Sequence, residues 1–393
     1  MMKPKDNRAP AKTNRPIHVL LAGIAGASLL VYVLACSTAF SPDDRQVLYP
    51  SFDPQSGALS IALYHRDTGR SEQIFSSIGT HTDTNLHSAS LRAAWLPDGK
   101  HILVAEAEAH DGLSLFVVPR GGKEPIRHLA SQKWDDAETA LEFPFAVSGT
   151  KVFLNDQHNL TRVDWVTGEV LVNTNPIAAL PGGDGKTILG WRELPNNGGG
   201  EFGMIDPETL AFQPQLTLTN QTGEGTFPAF DPRSHEVMLV TGTGTNLELQ
   251  ILRDGVKKFS RPIARPGCEV KVAGPWLDLG PKKDRVFTAY TSKADGQTNS
   301  ECGLLEIPLD AKPLRFTPLF QMQSDDFNSL MAQPSLSHDG RTWAISSAWL
   351  GASKKSALRP EDCALFLVQV DRSRPKLTKV PIALPAVQDD GLK

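Results

Sequence analysis

The chain has 393 residues, 40% of them apolar and 21% charged, with 32 glycines and 29 prolines. That length and apolar content support a large buried core and exclude a disordered chain. The formal net charge of −4 is spread thinly, and no basic stripe crosses the body, which excludes a nucleic-acid binder.

The first stretch is a basic tail. Residues 1–17 carry Lys3, Lys5, Arg8, Lys12 and Arg15 against Asp6 alone. From Val19 to Cys36 no residue is charged, and the sequence stays apolar or small to Ser41. A run of about 18 such residues can cross a hydrocarbon core as a helix. Residues 18–40 are therefore expected to be a transmembrane anchor or a signal segment. The basic flank predicts a cytoplasmic 1–17, with 41–393 on the periplasmic or extracellular side. Three fates fit the segment. It can stay as an uncleaved signal anchor. Val33-Leu34-Ala35-Cys36 resembles a lipobox, which makes Cys36 a candidate for lipidation. Ser37-Thr38-Ala39 offers a small-x-small cleavage site that would release a soluble protein. Ser41-Pro42 reads as a short linker that keeps the following domain close to the membrane.

Beyond residue 40 helical periodicity is nearly absent, and one hairpin pattern recurs. Its clearest form is Ala94-Trp95-Leu96-Pro97-Asp98-Gly99-Lys100-His101-Ile102-Leu103-Val104-Ala105. Pro97 presets a turn dihedral and Gly99 supplies a positive φ, between two apolar, strand-forming runs. The other units begin at Pro50-Ser51-Phe52-Asp53-Pro54, Phe145-Ala146-Val147-Ser148-Gly149, Asp184-Gly185-Lys186, Pro228-Ala229-Phe230-Asp231-Pro232, Pro275-Trp276-Leu277-Asp278 and Pro334-Ser335-Leu336-Ser337-His338-Asp339-Gly340. The turns are spaced roughly 36 to 56 residues apart, near the period of four-stranded propeller blades. A second hairpin follows most turns, as at Asp111-Gly112 and Asp254-Gly255. A blade cannot bury both faces alone, and a ring of blades solves that problem.

The phrase Pro/Ala-x-aromatic-x-Pro-Asp-Gly-x-x-Ile/Val resembles the repeat of TolB-type, WD-like β-propellers. Units two and seven match it best, one and five follow, and three, four and six depart from it. The resemblance covers about Val47 to Ile382. It implies an all-β fold, a single propeller of seven four-stranded blades; the apolar run before it adds the N-terminal transmembrane or signal helix. In that fold Asp98, Gly99, Asp339 and Gly340 are structural, and Trp95, Trp191, Trp276 and Trp343 pack between blades.

Few residues suggest chemistry. No Gly-x-Ser-x-Gly elbow, His-Glu-x-x-His motif or phosphate loop occurs. His81 and His87, in a polar stretch, read as a solvated connector more than a metal site. Asp295 to Glu301 reads as an exposed hairpin more than a Ca²⁺ loop. No cofactor is expected. Trp134, Asp135 and Asp136, with Asp325, Asp326 and Phe327, are acidic and aromatic and precede inner strands. They form a candidate partner-binding rim, against the plainer role of filling gaps between blades. Of the cysteines, Cys268 and Cys302 fall within one unit and are the candidate disulfide, against three buried free thiols that include Cys363.

Three functions are consistent with these features. The first is a membrane-tethered, non-catalytic binding or scaffold module with protein partners in the envelope. The second is a subunit of a larger membrane complex, with contacts through the small-residue face of Gly23 and Gly26. The third is a propeller hydrolase or lactonase with a metal in its channel.

Overall fold

The computed structural model describes residues 38–52, 59–77, 90–108, 112–121, 125–133, 145–155, 159–175, 177–181, 187–194, 199–218, 229–231, 236–242, 246–272, 278–279, 284–323, 334–347, 363–370 and 375–382. Their strands form seven antiparallel sheets, each from one consecutive part of the sequence. Blade 1 holds β1 (Ala39–Phe40), β2 (Gln46–Phe52), β3 (Leu59–His65) and β4 (Arg70–Ser76). Blade 2 holds β5 (Ser90–Trp95), β6 (His101–Glu108), β7 (Gly112–Pro119) and β8 (Arg127–Lys133). Blade 3 holds β9 (Ala146–Ser148), β10 (Lys151–Asn155), β11 (Leu160–Asp164) and β12 (Val170–Asn173). Blade 4 holds β13 (Ala178–Pro181), β14 (Ile188–Leu194), β15 (Gly199–Ile205) and β16 (Phe212–Leu218). Blade 5 holds β17 (Ala229–Asp231), β18 (Glu236–Thr241), β19 (Leu247–Arg253) and β20 (Val256–Ile263). Blade 6 holds β21 (Cys268–Val272), β22 (Asp278–Leu279), β23 (Arg285–Ala294), β24 (Asn299–Pro308) and β25 (Arg315–Gln323). Blade 7 holds β26 (Ser335–Leu336), β27 (Thr342–Ser346), β28 (Ala364–Gln369) and β29 (Lys376–Pro381).

First strands lie innermost: β1 touches β26 and β5, and β9 touches β13. Fourth strands lie outermost and are the most exposed, as β4, β20 and β29 show. In blade 6 the inner strand comes in two pieces, β21 and β22, both paired with β23. Middle strands such as β3, β27 and β28 are buried almost throughout. A strand covered on both faces reads as a continuous apolar run rather than an alternation.

Apolar side chains fill every junction between neighbouring blades. Blade 1 shares one cluster with blades 7 and 2, through Leu63, Leu365 and Val104 among others. Further clusters join blades 2 and 3, 3 and 4, 4 and 5, and 5 and 6. Two more join blades 6 and 7, one of them around Phe287 and Trp343. The core is thus a closed ring, a seven-bladed β-propeller. Trp343 and Trp95 are buried in it and Trp191 is half-buried; Trp276 lies outside the described residues.

The recurring turn has one construction. Asp44, Gly99 and Gly340 each donate their N–H to the residue three before, Ser41, Leu96 and Ser337, at 2.8, 3.0 and 2.8 Å. All three have a positive φ, of 56°, 63° and 69°. The preceding carboxylates of Asp43, Asp98 and Asp339 accept the N–H of Arg45, Lys100 and Arg341 at 3.2, 2.9 and 3.0 Å. Ser41-Pro42 is therefore part of the first hairpin of blade 1, not a linker. Pro50-Ser51-Phe52 lies in β2, so unit one starts before it, at β1. Ala39 and Phe40, within the stretch read as anchor, form the innermost strand.

Among the described residues no strand is shared between blades 7 and 1, and side chains join them. Thr38 Oγ1 donates to Ala344 O at 2.9 Å and lies 3.0 Å from Ser335 Oγ. Arg66 donates to Asp44 O at 2.6 Å and to Thr342 Oγ1 at 3.0 Å. Other arginines bind the neighbouring blade in the same way. Arg162 donates to Glu208 O at 2.7 Å, and Arg261 to Pro308 O at 2.6 Å.

Candidate functional site

The described polar cluster that adjoins a cavity lies between blades 5 and 6. β20 ends at Ile263, and the chain turns through Ala264 to Gly267, where φ is +69°. The turn is closed by Cys268 N donating to Arg265 O, and Asp295 N donates to Gly267 O, both at 3.1 Å. Below it stands the β23–β24 hairpin, ten residues on each side. Strand register puts Val270, Ser292 and Glu301 side by side on one face. The cavity, of about 250 Å³, is lined by Ile263, Arg265, Gly267, Cys268, Val270 and Asp295, with Ala264.

Glu301 is the hub. Arg265 donates to its carboxylate, and Tyr290 Oη donates to Glu301 Oε1 at 2.6 Å. Arg265 lies 5.5 Å over the Phe316 ring, and Tyr290 meets the same ring edge-on at 5.0 Å. Gly303 makes room for this stack: a Cβ there would stand 2.9 Å from Tyr290 Cε1 and 2.1 Å from Thr317 O. The strand pair shifts register at the same point. Ser292 Oγ is buried and has no hydrogen-bond partner among the described residues.

The electrostatics fix protonation. Burial, then the hydrogen bond and charge of Glu301, push the Tyr290 hydroxyl well above its ordinary value. The hydrogen bond that Arg265 donates to Glu301 raises Arg265 further. Burial pushes the Cys302 and Cys363 thiols up to about 12. Tyr290 and Arg265 are therefore permanent donors, and Glu301 already accepts from both. Such a cluster can hold a ligand, and neither of its two donors is a base or an activated nucleophile.

The expected disulfide is not formed. Cys268, Cys302 and Cys363 are all free thiols. Cys268 pairs with Ala294 on β23, and Cys302 lies beyond that strand, opposite Thr291. Alternate strands stand about 9.5 Å apart, beyond the reach of a disulfide. The Asp295–Glu301 stretch is a tight hairpin, turning at Gly296 with φ +75°, and its Glu301 is bound to Arg265. Cys36, Trp134, Asp135, Asp136, Asp325, Asp326 and Phe327 lie outside the described residues, as do His81 and His87. Among the described residues no three His, Cys, Asp or Glu side chains gather to hold a metal, and no helix is long and apolar enough to cross a membrane.

No family model matches this chain, and no curated protein matches it. Solved structures do. TolB from Acinetobacter baumannii is 20% identical over 56% of this chain and 52% of its own, with a TM-score of 0.39. A structure from a study of two prolyl endopeptidases is 10% identical over 93% of this chain and 52% of its own, with a TM-score of 0.54. A protein from Bacteroides uniformis, described as a candidate 6-phosphogluconolactonase, is 11% identical over 86% of this chain and 97% of its own, with a TM-score of 0.50. The chain spans about half the length of the first two. At these identities the shared feature is the propeller fold.

Proposed function

We propose that this chain is a non-catalytic binding module of the cell envelope, tethered to the membrane by its N-terminal segment, with the ring on the periplasmic or extracellular side and protein partners there. The observation that carries the non-catalytic reading is the state of the Arg265–Glu301–Tyr290 cluster. Its two donors stay protonated and are both bound to Glu301 Oε1, so neither Tyr290 nor Arg265 is available as a base, and the cluster is built to recognise a ligand. The carboxylates of Asp43, Asp98, Asp164, Asp206 and Asp339 are likewise engaged by backbone N–H groups of their own turns.

The tether rests on the uncharged run from Val19 to Cys36 and on the basic flank before it. Thr38 bears on its fate. Cleavage after Ala39 would remove Thr38, with its bonds to Ala344 and Ser335, and half of β1. An uncleaved anchor or a lipidated Cys36 keeps them all.

The test is photo-crosslinking in living cells from benzoylphenylalanine placed at exposed positions around the ring, with Arg45, Val172, Val256 and Lys312 among them. The expected result is a discrete adduct in the membrane fraction from one contiguous set of positions. Hydrolysis of a lactone or a peptide by the purified chain, abolished by one substitution, would contradict the proposal.

A further inference from the structure

Among the described residues each blade leaves one edge of its fourth strand unpaired, and such an edge is a template for another chain unless it is guarded. Six of the seven outer strands carry charge or proline: Arg70 and Glu72 in β4, Arg127 and Lys133 in β8, Pro214 in β16, Lys257 and Pro262 in β20, Arg315 and Pro318 in β25, Lys376 and Pro381 in β29. Five of these six also shift register against their third strand, which bends an edge away from straight pairing.

β12 has none of these guards. It reads Val170-Leu171-Val172-Asn173 and pairs with β11 without a shift. Val170 and Val172 stand on one face of it, 37% and 49% exposed. Val166, in the turn before β12, and Ile126, just before β8, are exposed as well. Arg127 donates to the carbonyls of Trp165 and Val166, which fixes the start of β8 beside that turn. Four of the six large apolar side chains exposed among the described residues therefore gather at the outer junction of blades 2 and 3.

We propose that β12 docks an extended segment of a partner protein by strand addition, with β-branched or aliphatic residues at alternate positions lying over Val170 and Val172. Every second residue of β12 turns its backbone N–H and C=O outward to pair with such a segment. A second copy of this chain suits the edge less well. Four residues pairing with their own copy bring together far less than the roughly 1,200 Å² that a stable interface buries. An extended segment instead follows the strip from Val172 toward Ile126. The inference deepens the binding reading and rests on it for the partner's being a protein.

The experiment selects a phage-displayed library of random peptides on the immobilised full chain. The recovered peptides should alternate β-branched or aliphatic residues. They should bind Val172→Lys and Val170→Lys at least about tenfold more weakly, while Val172→Thr and Val256→Lys leave binding intact and all four variants melt with the wild type. Peptides indifferent to Val170→Lys and Val172→Lys, or no enriched peptide at all, would overturn the edge assignment. So would a dimer that Val172→Lys dissolves, since the second copy would then be the occupant. Indifferent peptides would still leave a binding ring whose surface lies elsewhere.

Discussion

Asp44 and His338 are 294 positions apart and bond across the one junction of the ring that the chain itself does not cross. Asp44 Oδ1 accepts from His338 N at 2.8 Å and from His338 Nδ1 at 2.9 Å, and Asp44 Oδ2 accepts from Asp339 N at 2.9 Å. Two turns of the same construction thus clasp each other, one at each end of the ring. Asp44 can do this because it occupies the positive-φ position that glycine fills in the other two turns. Asp tolerates that conformation better than most residues, and it brings a carboxylate that glycine lacks.

Replacing Asp44 separates these two roles. Asp44→Ala loses three hydrogen bonds to a charged acceptor and puts a Cβ residue without local compensation at φ 56°. The expected loss is about 2–3 kcal/mol. Asp44→Gly loses the bonds alone and should cost about 1 kcal/mol less. Calorimetric melting should rank wild type above Asp44→Gly and Asp44→Gly above Asp44→Ala. An Asp44→Ala that melts with the wild type would mean that the seam does not depend on this contact.

Gly99 shows the backbone effect without a seam. Its φ is +63°, and an added Cβ would meet only the Pro42 ring, Cγ at 3.7 Å and Cδ at 3.9 Å, both ordinary contacts. The strain of Gly99→Val is therefore conformational, about 1–2 kcal/mol. Gly121 has open space around it and no positive φ, so Gly121→Val should stay within about 0.5 kcal/mol. Equal losses at the two positions would contradict this account of the turn.

Leu210 sets two effects against each other. It has φ +60° and is fully buried in the cluster between blades 3 and 4. Leu210→Gly relieves about 1 kcal/mol of strain but removes a buried leucine worth about 2–5 kcal/mol. Packing should win, with a net loss of about 1–4 kcal/mol in denaturant unfolding. A more stable variant would show that strain dominates.

The ring was legible in the sequence because its signal repeats. Asp98-Gly99 and Asp339-Gly340 mark the same turn, and the apolar runs after them are the second strands of two blades. The first turn was missed for a local reason. Ser41-Pro42-Asp43-Asp44 aligns with Leu96-Pro97-Asp98-Gly99, but Asp stands at the glycine position, and proximity to the apolar run favoured a linker. The Arg265–Glu301–Tyr290 cluster left no signal at all. Its members are 11 to 36 positions apart, and only the register of β23 against β24 brings Tyr290 and Glu301 together. The Cys268–Cys302 pairing failed on the same point, because membership of one blade does not say which strands are adjacent.

Stability should fall at both ends of the pH range. In the folded ring the Cys302 and Cys363 thiols are pushed up by burial to about 12, from an ordinary value of 9.0. Above pH 9 the unfolded chain releases protons that the folded chain keeps, so stability is lost as pH rises toward 12. Burial pushes the Asp98 and Asp339 carboxyls up, but hydrogen bonds from His101 and Ser337 and from the turn N–H groups outweigh it, leaving both below their ordinary 3.8. Their contribution is present above that value and lost as pH falls through the lower folded values. Unfolding free energy measured against pH should show both declines. Iodoacetamide at pH 8 should leave Cys302 and Cys363 unmodified until the chain is unfolded; rapid native labelling of either would contradict their burial.

The proposal that the ring works on the outer side of the membrane is read most directly by labelling intact spheroplasts with a membrane-impermeant maleimide. Lys312, 70% exposed in the turn between β24 and β25, and Lys5, in the basic tail, are replaced by cysteine in separate full-length chains. The prediction is that Lys312→Cys is labelled in intact spheroplasts above the wild-type background, while Lys5→Cys is labelled only after lysis. Protection of Lys312→Cys until lysis would place the ring in the cytoplasm and contradict the proposed function.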